Sequence, residues 1–189
     1  MKVSLQMMTT SADPQLVRRA ARGDRTAIAT MLADVRPALI RYCRARLGRS
    51  DGTYAPADAL ADEICLAVLR ALPHHLGQRV PFPAFVHGIA LTLVTEAHPR
   101  IVGLRAGPPA DEPPRRAVVA DPARRLSGLL DLLSEAQREI LVLRVAVGLT
   151  AEQVGTALGI SAAAVRVGQS RALAQLRTLT GNTVDEVAA

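Results

Sequence analysis

Residues 149–177 read LTAEQVGTALGISAAAVRVGQSRALAQLR, and the spacing within this stretch decides the fold. It predicts two helices joined by a tight turn. Thr150 caps the first helix and Gln153, three residues on, reaches back to it, the reciprocal pattern of a capping box. Gly159 stands where the chain must turn sharply, because only glycine takes positive φ without steric penalty. Ser161 supplies the second N-cap, and an Ala- and Arg-rich helix follows. Val154, Leu158, Ile160 and Val165 are expected to face one another across the turn, with Gly155 small enough to let the two helices approach. A helix-turn-helix of this kind lays its second helix in the major groove of DNA. An ordinary αα-hairpin inside a helical bundle fits the same residues.

Composition points the same way. The chain has 189 residues, of which 49% are apolar and only 2% aromatic, so Ala, Leu and Val must build the interior, and that favours helices over sheets. A net charge of +6 suits a polyanionic partner. Lys2 is the only lysine; the other basic residues are arginines, a bias that carries no functional weight. Cys43 and Cys65 fall in apolar helical patterns without CxxC spacing, which reads as buried, reduced thiols in a reducing compartment. No apolar run reaches the roughly 18 residues of a membrane span, and no secretory signal is visible, so a cytoplasmic location is expected.

Outward from the opening stretch, the rest of the chain also reads as helices. Residues 1–12 form a lead-in. Asp13-Pro14 starts a short helix that Gly23 ends, and Asp24 caps a longer one with Pro37 inside it, where a kink is expected. The far end of that helix carries Arg36, Arg41, Arg44, Arg46 and Arg49, either a solvated basic face or an interaction surface. Residues 57–72 form a third helix stopped by Pro73, with residues 73–81 as a loop. A fourth runs over residues 83–98 with Phe85, Ile89, Leu93 and Ala97 on one face, and Pro99 ends or bends it. Prolines and glycines at Gly103, Gly107, Pro108, Pro109, Pro113, Pro114 and Pro122 mark a linker. A helix over residues 124–133 follows, then a capping box at Ser134 and Gln137 and a helix closed by Gly148. The tail after Gly181 is expected to fray. The predicted architecture is all-α: a helical domain over residues 13–100, a Pro-rich linker over 101–123, and a second helical domain over 124–180.

Four stretches in this order resemble a known family. LVRRAARGDRTAIATML (16–32) resembles an opening helix pair with a "hydrophobic-x-x-A-x-x-G-D" run. ADALADEICLAVLRALP (57–73) resembles "A-x-D-L-x-Q-E-x-F-x-x-x-W-x-A-L", and FPAFVHGIA (82–90) resembles "F-x-x-W-L-x-x-I-A". Residues 133–177 resemble "L-P-x-x-x-R-x-x-x-x-L-x-x-x-x-G-x-S-x-x-E-I-A-x-x-L-G-I-S-x-x-T-V-K-x-R-x-x-R-A-x-x-x-L-R". Each alone is weak. Together they resemble bacterial sigma factors of the extracytoplasmic-function (group 4, sigma-70) family, which pair a helical region 2 with a helical region 4.

The resemblance implies a set of partners and contacts. The partners are core RNA polymerase, through its β′ and β subunits, and promoter DNA. An anti-sigma factor, membrane-anchored in many of these proteins, is implied as well. Leu60, Asp62 and Glu63 would meet polymerase. The loop around residues 74–80 would hold an extruded single-stranded base, whose unstacking a pocket must offset. His74, His87, Thr92, Glu96 and Arg100 would serve the −10 element, where this chain has Phe85 in place of the family's usual Trp. The helix from Ser161 would read the −35 element with Arg166 and Arg171, and secondarily with Ser161, Val167 and Ser170. Ala162, Ala163 and Ala164 cannot hydrogen-bond a base edge, although a methyl can touch thymine. Gly168 sits mid-helix, where it either admits a close neighbour or weakens the helix.

Nothing in the sequence points to catalysis. The four histidines (His74, His75, His87 and His98) pair with no acid or cysteine at metal or triad spacing, and no GxxxxGK(S/T) or GxGxxG run occurs, so no enzyme activity, metal or cofactor is implied. Two rival readings remain: an autonomous helix-turn-helix regulator with a helical sensing domain, and a sigma-like interaction protein that binds without melting promoters.

Overall fold

The computed structural model describes residues 13–50, 52–105 and 128–187, with side chains at residues 99–105 and 180–187 outside the description. Every named element is helical; the one β-type pairing among the described residues is an isolated bridge between Ser50 and Thr53. Helices α1 (Pro14–Ala21), α2 (Arg25–Leu47), α3 (Ala55–His75) and α4 (Phe82–Arg105) build the N-terminal half. The C-terminal half contains α5 (Glu135–Leu141), a π-helical continuation over Val142–Val147, α6 (Ala151–Leu158) and α7 (Ala162–Val187).

The helix starts follow local chemistry. Asp13 accepts from the Gln15 amide at 2.8 Å, Asp24 from the Ala27 amide at 3.0 Å, and Ser161 from the Ala164 amide at 3.1 Å. Both reciprocal boxes form, Ser134 with Gln137 and Thr150 with Gln153. Each satisfies amides that the first turn leaves without intrahelical partners. Gly148 and Gly159 end their helices in the left-handed region, at φ 85° and 68°.

Several helix interiors depart from the sequence expectations. Pro37 lies within α2, as expected, and the helix continues past it. Pro73 does not stop α3: Leu72 and His75 are buried, and that burial holds the last turn although Pro73 donates no amide. The expected loop therefore begins after His75. Pro99 likewise lies inside α4, which reaches Arg105 and takes in the first residues of the expected linker. The buried stripe of α4 is Phe82, Val86, Ala90, Val94 and Ala97, while Phe85, Ile89 and Leu93 are only partly buried. The helix is apolar on most sides because it is wedged between α3 and the C-terminal half, so periodicity alone did not fix its inner face. Helix α7 continues past Gly181 to Val187. The lead-in (1–12), linker residues 106–123 and helix positions 124–127 lie outside the described residues; residues 128–131 are helical.

One apolar cluster runs through both halves. Met31, Ile64, Val68 and Val94 of the first half and Val154 and Val165 of the second are fully buried members of it. Helix α2 packs against the π-helical segment, and α4 against α6. A smaller cluster of Leu133, Leu141 and Ala172 ties α5 to α7. Cys43 and Cys65 are buried and free, and burial pushes the Cys43 thiol up to about 12.

Within the helix-turn-helix, Val154 and Val165 are both buried in the main apolar cluster, as expected, but Ile160 is 41% exposed. The close approach at Gly155 is to backbone: a Cβ there would lie 2.7 Å from the Ile160 carbonyl oxygen. Gly168 admits the Ile140 side chain, whose Cδ1 would be 2.6 Å from an added Cβ. Gly88 in α4, by contrast, has nothing within 4 Å of an added Cβ. Thermal or denaturant unfolding should therefore show opposite signs for one substitution. Gly155→Ala should cost about 1–3 kcal/mol through overpacking, whereas Gly88→Ala should stabilise by about 0.5–1 kcal/mol. Equal effects would refute this account of the turn.

Candidate functional site

Helix α7 presents a continuous open face. Ser161, Arg166, Val167, Ser170 and Arg171 are all exposed, and Val165 and Ala172 anchor the opposite face. Arg166 pairs with Glu152 of α6, a contact between two exposed side chains. The Glu152 carboxyl is held below its usual range by its own backbone amide, then by Thr150 and Arg166. Arg144 braces the unit from behind, donating from Nε to Gln169 Oε1 at 2.9 Å and from Nη1 to the Leu149 carbonyl. Arg144 thus ties α7 to the turn that precedes α6.

The N-terminal candidates divide into separate groups. Thr92 and Glu96 are exposed on one face of α4, where Thr92 Oγ1 donates to the Gly88 carbonyl at 3.0 Å. His74 is exposed at the end of α3, and the Arg100 side chain lies outside the described residues. His87 points away from Thr92 and Glu96, into the contact between the halves. On α3, Asp62 and Glu63 are exposed and Leu60 is buried at 7%, so Leu60 supports the surface rather than forming it. The large exposed apolar residue on that helix is Leu66, at 53%.

Three of the arginines on α2, Arg36, Arg44 and Arg46, are paired with acids rather than left as an open basic face. Arg36 donates to both oxygens of Asp62 at 2.6 and 3.2 Å, and Arg44 to both oxygens of Asp58 at 2.6 Å. The paired guanidinium holds each carboxyl below its ordinary value. These pairs sit in solvent and contribute little to stability. Arg44 and Arg49 also lie over the Tyr54 ring, at 5.0 and 5.6 Å.

Arg46 turns inward to a site that sequence reasoning missed. Glu139 of α5 is 4% exposed. Its Oε1 meets His87 Nε2 of α4 at 2.7 Å, and its Oε2 lies 3.3 Å from Arg46 Nη1 of α2. Arg46 Nη2 also donates to Glu135 at 3.0 Å. Burial alone would raise the Glu139 carboxyl; His87, Tyr42 and the Arg46 charge outweigh it and hold the group below its usual range. The same burial, with the Glu139 charge beside it, pushes the Tyr42 hydroxyl up. The cluster is incompletely bonded: Tyr42 Oη, Arg46 Nη1 and Glu139 Oε2 are buried without an aligned hydrogen bond, so the 3.3 Å contact is an ion pair only. A signal was present in the sequence. Glu139 shares its helical stripe with Val142, Leu143 and Val147, all buried, and an acid on an apolar stripe needs a cation to meet it.

Two spaces flank this contact. A small apolar cavity of about 60 Å³ lies between Leu39, Val86, Ala90, Leu143, Val147 and Leu149. An open groove of about 770 Å³ runs past Arg18, Arg22, His75, Gln78, Val80 and Phe82. At its floor His75 stacks on Phe85, with ring centroids 4.4 Å apart. Both phenylalanines, Phe82 and Phe85, therefore lie beside His75 and the loop after α3.

Comparison with known proteins follows this geometry. A family model described as Sigma-70, region 4 matches residues 129–178. The ECF RNA polymerase sigma factor SigD of Mycobacterium tuberculosis is 42% identical over 172 residues, covering 86% of this chain and 81% of the relative. The ECF RNA polymerase sigma factor ShbA of Streptomyces griseus is 46% identical over 177 residues, covering 87% and 93%. The solved structure of CnrH in complex with the cytosolic domain of CnrY has a TM-score of 0.62 at 23% identity, covering 90% of this chain and 98% of that one, a likeness of fold.

His75 gives the groove a pH dependence. Burial lowers its pKa, and its Nδ1 has no hydrogen-bond partner. The unfolded chain takes up a proton near pH 6.5 that the folded chain resists. Stability contributed by neutral His75 is therefore intact above that value and falls as the pH drops below it. Melting curves between about pH 7.5 and 5.5 should show a declining midpoint, and His75→Gln should flatten that decline. Identical slopes for the two proteins would rule His75 out as its source.

Proposed function

The chain belongs to the ECF RNA polymerase sigma factors, and we propose a division of labour between its halves. It binds core RNA polymerase and directs promoter recognition and transcription initiation. Residues 13–100 are the half that engages polymerase and the −10 element, residues 101–123 the connector, and residues 124–180 the half that engages the −35 element. The observation that carries the reading is the open face of α7 behind a rigid, doubly capped turn, with Arg166 and Arg171 at its centre. Two arginines among alanines make a reader that anchors mainly on phosphates, with few base contacts. Ser161, Val167 and Ser170 complete that surface.

On the other half, Thr92 and Glu96 form the exposed strip offered to the −10 element, with His74 and Arg100 at its margins. His87 joins them once it leaves Glu139. The groove beside residues 76–81 is the place for an extruded base. Arg18 and Arg22 line it to meet phosphate, and the His75–Phe85 stack lies beneath. Asp62 and Glu63 are the polymerase contacts on α3. The protein initiates transcription without itself catalysing a reaction, and it works in the cytoplasm; among the described residues no helix is long and apolar enough to cross a membrane. An anti-sigma partner that enters between the halves is part of the same reading, since the two halves meet over an apolar surface.

Run-off transcription with purified core polymerase tests the assignment. Core enzyme plus this chain should give promoter-specific transcript, and the chain alone should not retard promoter DNA tightly in a gel shift. Tight, specific binding without core would favour an autonomous regulator, and core binding without transcript a non-melting interaction protein. Reversing the charges of Asp62 and Glu63 should abolish core association with the helical circular-dichroism signal unchanged, because both side chains are exposed. Wild-type affinity in that double variant would remove α3 from the polymerase surface. Arg166→Ala should weaken promoter binding by roughly 1–3 kcal/mol if it reads a base. An equal loss on all sequences would mark it as a phosphate contact.

A further inference from the structure

We propose that Glu152 is a positioning residue for promoter recognition: by pairing with Arg166 it fixes that guanidinium to read a base edge in the −35 element, and it leaves Arg171 to grip phosphate. The proposal rests on the sigma-factor reading and decides which of the two arginines carries sequence information.

The two arginines on the α7 face are not equivalent. Arg166 Nη2 donates to Glu152 Oε1, which reaches it from α6 across the turn. Arg171 makes no hydrogen bond or ion pair among the described residues. The acid that holds Arg166 is itself held. Its own backbone amide and the Thr150 hydroxyl stabilise the Glu152 carboxylate. Thr150 in turn is the N-cap of α6, locked in its reciprocal box with Gln153. On the far side of the turn, Ser161 caps α7 by accepting from the Ala164 amide at 3.1 Å. Both partners of the pair therefore project from capped helix starts joined by a fixed turn. The contact uses one nitrogen of Arg166, and its Nε and Nη1 have no acceptor among the described residues. Both side chains stand in solvent, 60% and 64% exposed, so the pair adds little to stability. Its main consequence is the direction it gives Arg166.

Direction matters for a base and hardly at all for a phosphate. Guanine presents O6 and N7 side by side in the major groove, and a flat guanidinium meets both only in one orientation. A phosphate oxygen accepts from a wide range of directions and carries no sequence information. Holding one edge of Arg166 before DNA arrives removes rotational freedom that binding would otherwise have to remove. The carboxylate also works against the wrong target. It offsets the Arg166 charge in place and sets a negative group beside the duplex backbone, which weakens sequence-independent attachment through this arginine. The neighbouring positions cannot supply the same contact. Ala162, Ala163 and Ala164 have no donor, and Val167, 50% exposed, offers only methyl groups to a thymine.

Holoenzyme assembled from core polymerase and the full chain tests this on two duplexes, one carrying a promoter found by run-off transcription and one with its −35 element scrambled. The readouts are the ratio of the two affinities and the slope of log affinity against log salt concentration. Glu152→Ala should lower the ratio about tenfold and steepen the salt slope by about 0.9, as Arg166 turns to phosphate. A purely structural role for Glu152 would weaken both duplexes alike and leave the ratio unmoved. Arg166→Lys keeps the charge without the planar fork, and it should lower the ratio by a similar factor. Adding Glu152→Ala to Arg166→Lys should lower the ratio no further, because the two residues act as one unit. Arg171→Ala should weaken both duplexes equally and flatten the salt slope by about 0.9. A wild-type ratio in Glu152→Ala with helicity intact would overturn the proposal. So would a wild-type ratio in Arg166→Lys, whether or not the first variant folds. Equal binding of the two duplexes by the wild-type holoenzyme would instead overturn the −35 reading on which the proposal rests.

Discussion

A carboxylate removed from water must be met by charge and hydrogen bonds, and Glu139 is met by groups from two helices that belong to the other half of the chain. Arg46 and His87 lie 93 and 52 residues before it in sequence. Removing one member of a buried pair generally costs about 3–5 kcal/mol, because the survivor is left buried and uncompensated. The position of the C-terminal half on α2 and α4 therefore depends on this one acid as well as on the apolar cluster around it. The π-helical stretch after α5 belongs to the same solution. Its wider winding carries Leu143 and Val147 onto the surface beside α2 and α4, where they line the interface cavity. Such insertions in a helix often mark functional positions.

A second constraint is steric, and it shapes the C-terminal half. The chain can bring Ile160 and Ala162 against α6 only because residue 155 has no Cβ, and Gly159 takes the left-handed conformation that reverses the chain. With that turn fixed and Ser161 capping the next helix, the direction of α7 follows, and so does the outward face of Arg166 and Arg171. Nothing at this face demands aromatic residues or a large core. Three capped helix starts and two left-handed glycines, Gly148 and Gly159, fix the course of this half from a composition with few rings.

What the sequence made legible is what is local. Caps at Asp13, Asp24, Ser134, Thr150 and Ser161 are decided by residues two or three positions away, and each forms as read. The outward set on α7 was legible for the same reason: its inner residues, Val165 and Ala172, are seven apart and share one stripe. What depended on distant parts of the chain was not legible. Pro73 lies inside α3 because burial of Leu72 and His75 outweighs one missing amide. Helix α4 buries a different stripe from the one its strongest apolar residues suggest, because it has neighbours on two sides. Leu60 was assigned to a surface by motif position but lies in the core. The arginines of α2 looked like one basic face, and pairing with Asp58, Asp62 and Glu139 divides them into three uses. No local pattern announces a partner 93 residues away.

On the proposed division of labour, each half reads one element and the connector links the two readings. An α7 face with two arginines has modest affinity alone, and the second half raises it by making the next encounter intramolecular, at an effective concentration set by the connector.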